Sequence, residues 1–237
     1  MDHLQNELKK EFQIERMILF SDGVFAIAIT LLVIELKVPE IPKQLVTESL
    51  LLQGLANLIP KFVGFLISFC IIGLFWTIHH RMFGYVVNYN GKLLFLNLFF
   101  LLGIALMPFS TGYYSEYILR YLNSPMIIYV SNICLISIAN ILLWRYISNP
   151  KNKLSVGIHP LFAKYVLVRA IVMPSIFMAL ALFYIFVEPR VAFLIIPFIS
   201  LLIRLATRKI KRQLKNLDIS GTYPDPIENN IIPSDHS

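Results

Sequence analysis

Apolar residues crowd into six stretches of the chain, about 17–36, 55–78, 93–112, 126–147, 165–187 and 191–206, separated by polar or proline-bearing segments. A bilayer core of about 30 Å takes roughly 20 apolar residues as a helix, so this pattern predicts six transmembrane helices. The sixth is short and is expected to continue as an amphipathic helix into "RLATRKIKRQLK". Pro39, Pro42, Pro125, Pro150, Pro160 and Pro189 sit at or near the ends of the stretches, where helices must stop. Pro60, Pro108, Pro174 and Pro197 fall inside them and are expected to kink them, which neighbouring helices tolerate. No internal repeat is visible, since "FSDGVFAIAIT" has no second copy downstream.

The first stretch, "LFSDGVFAIAITLLVIEL" over 19–36, carries an internal pattern. With Ile27 at zero and about 100° per residue, Leu31 falls near +40°, Ile34 near −20°, Thr30 near −60° and Val24 near +60°. One stripe thus presents Val24, Ile27, Thr30, Leu31 and Ile34, with Gly23 beside it and Ala26 and Ala28 flanking. Periodicity alone leaves that stripe open between a pore lining and an ordinary lipid or core contact. Asp22 sits about 140° away from Ile27. "FSDG" could be a helix cap, but Met17 to Phe20 already look helical and apolar. A charge inside a membrane helix usually faces a partner. Arg16 and the adjacent His79 and His80 are the candidates, all on the same membrane side as Asp22.

Composition sharpens the class. The 237 residues are 57% hydrophobic and 15% charged, which is membrane composition rather than that of a soluble domain. Of the 21 Lys and Arg, only Lys37, Lys43, Lys61, Arg120 and Arg190 belong to one set of loops; the rest flank the other set and the two termini. The positive-inside rule then puts both termini in the cytoplasm, as an even number of helices requires. The expected organisation is a cytoplasmic N-terminus over 1–12, a six-helix domain over 13–210, and a basic then disordered tail over 211–237. The net charge of +7 is mostly this cytoplasmic bias, so nucleic acid is not implied. The polar residues 1–15 precede an apolar run without a small-residue cleavage site, so that run is expected to be retained.

Candidate chemistry is sparse. Cys70 and Cys134 lie in apolar runs and are expected to be small core residues. His79 and His80 point about 100° apart on a helix and cannot easily share a metal, and Glu35 lies roughly 20 Å from Asp22 at about 1.5 Å per residue. No nucleotide loop, metal spacing or catalytic triad appears, so an enzyme is not expected. A secondary transporter is the rival, but it would need paired repeats and a charged midplane site. Lys61 is expected to snorkel, Asn97, Asn132 and Asn140 to bond between helices, and Tyr113, Tyr114, Trp144 and Tyr146 to sit in interfacial belts. His159 is expected to be solvated in a loop.

Arg16-x-x-x-Phe20-Ser21-Asp22 followed by "GVFAIAITLLVIEL", together with Trp76 and His80 in "FWTIHHRMF", resembles the signature of the transmembrane protein one-seven-five family, the endosomal and lysosomal potassium channels and their prokaryotic relatives. The resemblance covers residues 12–206. It implies an all-α, six-helix integral membrane protein with both ends inside, assembling as a homotetramer whose first helices line a central pore. It implies rings of Ile27, Leu31 and Ile34 with a polar ring at Thr30, and a network of Arg16, Ser21, Asp22, Trp76 and His80 supporting the pore helix. It further implies potassium as the permeant ion, modestly preferred over sodium, with proton permeation as a variant. No cofactor and no small-molecule substrate are implied, and the expected location is a prokaryotic plasma membrane.

Overall fold

The computed structural model describes residues 2–117, 120, 122–186, 205, 208 and 212. The sixth apolar stretch, Pro197 and the tail fall almost wholly outside these. Among the described residues every regular element is helical, apart from an isolated bridge between Val86 and Ser155. Five spans there are long and apolar enough to cross a membrane: Leu8–Glu35, Ile59–Phe83, Gly91–Tyr117, Asn123–Ile147 and Pro160–Phe186.

Helix α1 runs over Asp2–Leu31 and closes in a 3-10 turn, Leu32–Glu35. It starts well before the apolar stretch because residues 2–16 are rich in Leu, Gln, Glu and Lys and hold neither Gly nor Pro. The helix crosses the expected 12/13 boundary without a break. A short helix, α2 (Glu48–Asn57), occupies what the hydrophobic pattern leaves as a connection. Its start is set by Thr47, whose hydroxyl accepts from the Leu50 amide at 3.3 Å.

Three long helices follow: α3 (Ile59–Phe83), α4 (Gly91–Tyr117) and α5 (Asn123–Ile147). Pro60 does not kink α3 but opens it, where its missing amide hydrogen costs nothing. Pro108 lies inside α4 as expected. The last described span is two helices, α6 (Pro160–Ala170) and α7 (Val172–Phe186), parted at Ile171. The break follows from Pro174, whose ring clashes with the carbonyl four residues back.

Helix α4 is the centre, packing against α1, α3 and α5. Its buried positions Leu93, Asn97, Phe100, Ile104, Met107 and Thr111 recur every three or four residues, the spacing of one helix face. Where α4 crosses α5, a side chain at Gly103 would sit 2.5 Å from Ile136 Cγ1, so only glycine lets the two backbones come this close. Two expectations are corrected here. Cys70 is exposed on the outer face of α3 rather than in the core. Trp144 is buried under α6, where its indole N–H donates to the Ala163 carbonyl at 3.0 Å, and so is not a belt residue.

Candidate functional site

The two faces of α1 differ sharply. Phe25, Ala28 and Leu32 are each 1% exposed and pack into the bundle. Ile27, Leu31 and Ile34, on the other side, are 61%, 41% and 62% exposed. Thr30 is exposed among them, and Val24 is half-buried at the edge. The stripe of the first helix is therefore turned away from its own subunit. The Thr30 hydroxyl donates to the Ile27 carbonyl at 2.8 Å. With its one hydrogen engaged, it presents acceptor lone pairs outward.

One turn before the stripe, α1 is clamped by two neighbours. The Trp76 indole N–H of α3 donates to Asp22 Oδ1 at 2.9 Å, and the His80 ring stacks on the same indole with centroids 5.7 Å apart. On the adjacent residue, the Ser21 hydroxyl donates to the Met17 carbonyl at 2.8 Å and accepts from Asn97 Nδ2 of α4 at 2.9 Å. Asn97 Oδ1 faces His79 Nε2 at 2.9 Å. With the amide oriented this way, Nε2 is the donor and His79 is the Nε2–H tautomer. Its Nδ1 then lies without a hydrogen-bond partner, in an aromatic cage where the His79 ring stacks on Phe83 at 4.2 Å and on Phe100 at 5.5 Å.

The structure thus brings Ser21, Asp22, Trp76 and His80 together, but not Arg16. Arg16 lies six residues from Asp22, about 120° round the helix, and its guanidinium sits 5.8 Å over the Phe12 ring. The inner branch through His79 and Asn97 was not assembled by sequence reasoning. The signal was present only as separate polar residues inside apolar runs. A second polar seam joins the bundle further along: Ser68 Oγ lies 2.9 Å from Tyr129 Oη and 2.8 Å from Thr111 Oγ1. Asn132 donates to the Gly103 carbonyl and to Ser110 Oγ, both at 3.2 Å, while Asn140 is buried with its Oδ1 unpartnered. Lys61, expected to snorkel, pairs with Glu116, and His159 caps α6 by accepting from the Leu161 amide at 3.1 Å. Among the described residues no group of His, Cys, Asp and Glu is placed to hold a metal.

An apolar stripe facing outward beside a polar clamp, buried at Ser21 and Asn97 and open at Trp76 and His80, is the arrangement found on this first helix. The family described as endosomal/lysosomal potassium channel TMEM175 matches residues 16–108. A potassium channel from Chryseobacterium sp. (strain P1-3) is 30% identical over 203 residues, covering 84% of this chain and 97% of the relative. The chain belongs to the TMEM175 family. A second relative, a potassium channel from Chamaesiphon minutus, is 38% identical over 114 residues, which cover 48% of this chain and 55% of the relative. The crystal structure of a lysosomal potassium-selective channel TMEM175 homolog from Chamaesiphon minutus superposes with a TM-score of 0.64 at 26% identity, over 81% of this chain and 98% of that one. The TMEM175 fold is therefore present, in a multi-pass membrane protein of a channel family and not of an enzyme family.

Proposed function

We propose that four copies of this chain assemble around α1 into a potassium channel whose narrowest part is a neck of Ile27, Leu31 and Ile34. The observation that carries this is the exposure of that stripe on a helix whose opposite face is fully buried. The potassium-channel names of its bacterial relatives support potassium as the ion. From Ile27 to Ile34 the neck spans about 10 Å along the axis. Within it a cation must keep or partly shed water without charged ligands in exchange. Potassium holds its hydration less tightly than sodium, so the neck favours potassium modestly, and the Thr30 lone pairs add a few dipolar contacts. A tight aliphatic neck also dewets, so gate and filter coincide. Asp22, Ser21, Trp76 and His80 hold the pore helix at its cytoplasmic end. The distribution of Lys and Arg supports both termini inside, and the bacterial relatives support a plasma membrane of a prokaryote.

The test is purified protein in liposomes under a potassium gradient, wild type against Ile27→Ala and Ile27→Asn. Passive flux whose potassium-to-sodium ratio shifts in either variant supports the neck. Flux indifferent to both removes Ile27 from the path, and flux that demands a coupled counter-ion makes the protein a transporter instead.

A further inference from the structure

We propose that a cleft between the start of α4 and the end of α5 binds the phosphate headgroup of an anionic phospholipid. The cleft encloses about 200 Å³, and Lys92 and Arg145 stand at its rim, both exposed. Tyr146 is its hub. The Lys92 ammonium lies 5.0 Å over the Tyr146 ring, and Asn90 Nδ2 donates to Tyr146 Oη at 2.9 Å. Asn152, folded back by the turn after α5, donates to the Tyr146 carbonyl at 2.8 Å. Asn90 also caps α4, its Oδ1 accepting from the Leu93 amide at 2.9 Å, so the positive end of a 27-residue helix opens beside the two cations. These bonds fix the polar groups before any ligand arrives.

Charge and polarity choose the ligand. From Glu48 to Glu188 the sequence holds one acidic residue between them, Glu116, and it lies at the far end of α4, about 36 Å from Lys92 along the helix. No carboxylate on α4 or α5 near the cleft competes for Lys92 or Arg145, so an anion from outside is the complement. Leu96, four residues after Lys92, and Leu142, three before Arg145, line the same cleft one turn deeper into the apolar span. A charged floor at the membrane surface under an apolar wall is the shape of a phospholipid, with phosphate at one end and acyl chain at the other. Basic pockets between transmembrane helices on the inner face take such headgroups. This inference does not depend on what the pore conducts.

The experiment uses the full-length protein in detergent, titrated with dioleoyl phosphatidylglycerol or dioleoyl phosphatidylcholine, with bound lipid counted by native mass spectrometry. Wild type is expected to retain phosphatidylglycerol over phosphatidylcholine. Lys92→Gln and Arg145→Gln are each expected to weaken that retention about fivefold and together roughly thirtyfold, while Arg208→Gln in the basic tail leaves the cleft's share intact. Both residues are exposed, so the single variants keep their packing and decide the matter even if the double variant does not fold. Phosphatidylglycerol bound equally by wild type and both single variants overturns the proposal. So does its displacement by millimolar inorganic phosphate, which would make this a site for a free anion.

Discussion

At the scale of single residues, α1 is held by neighbours in sequence that answer to different helices. Asp22 is bound by Trp76 of α3, and Ser21 by Asn97 of α4. Asn97 is the costlier of the two anchors to lose, because Asn97→Leu leaves both His79 Nε2–H and Ser21 without their partner in a dry interior. The expected loss is about 1–2 kcal/mol, above the roughly 0.6 kcal/mol average for one hydrogen bond between membrane helices. Thermal unfolding in detergent checks it, with Asn97→Leu melting below Trp76→Phe, whose site is partly open to solvent. How far this site was legible follows from the same residues. Asp22 stands out because a carboxylate in an apolar run demands an explanation, and the motif it shares with Ser21 is local. The His79–Asn97–Ser21 chain joins positions 18 and 76 residues apart, and no periodicity encodes a pairing at such distances. Arg16 was expected at Asp22 from proximity along the chain, but helical geometry swings it to another side.

At the scale of elements, two glycines on α4 permit close approaches of unequal stiffness. A methyl at Gly103 would meet Ile136 Cγ1 at 2.5 Å and the α5 backbone at 3.5 Å, so α4 and α5 must part to admit it. A methyl at Gly112 would first meet the Glu35 side chain, whose flexible end swings aside. Gly103→Ala is therefore expected to cost about 1–3 kcal/mol and Gly112→Ala well under 1 kcal/mol, an order read from their unfolding midpoints. The long apolar helices were plain from composition, since hydrocarbon thickness sets their length. Helix α2 was not, because ten residues between prolines look like a connection, although Thr47 already carried the cap. The split at Ile171 answers to the kink expected at Pro174, and it goes further than a kink, ending one helix and beginning the next.

At the scale of the whole molecule, the exposed stripe of α1 is the surface on which the proposed assembly rests. In a chain freed of Cys70 and Cys134, Ile34→Cys is expected to link copies into disulfide dimers in oxidised membranes. Ala28→Cys, 1% exposed and packed against its own bundle, is expected to remain monomeric on the same gel. Equal linking at both positions would place α1 elsewhere than at a shared axis. One further consequence comes from the unbroken run from Asp2 to Glu35. At about 1.5 Å per residue this rod is some 50 Å long, against a hydrocarbon layer of about 30 Å, so much of it stands clear of the bilayer on the N-terminal side. A stiff rod with one end in water and the other packed into the bundle is a lever. Whatever grips its free end, whether a fused tag or a binding protein, would act on the Ile27 stripe without touching it.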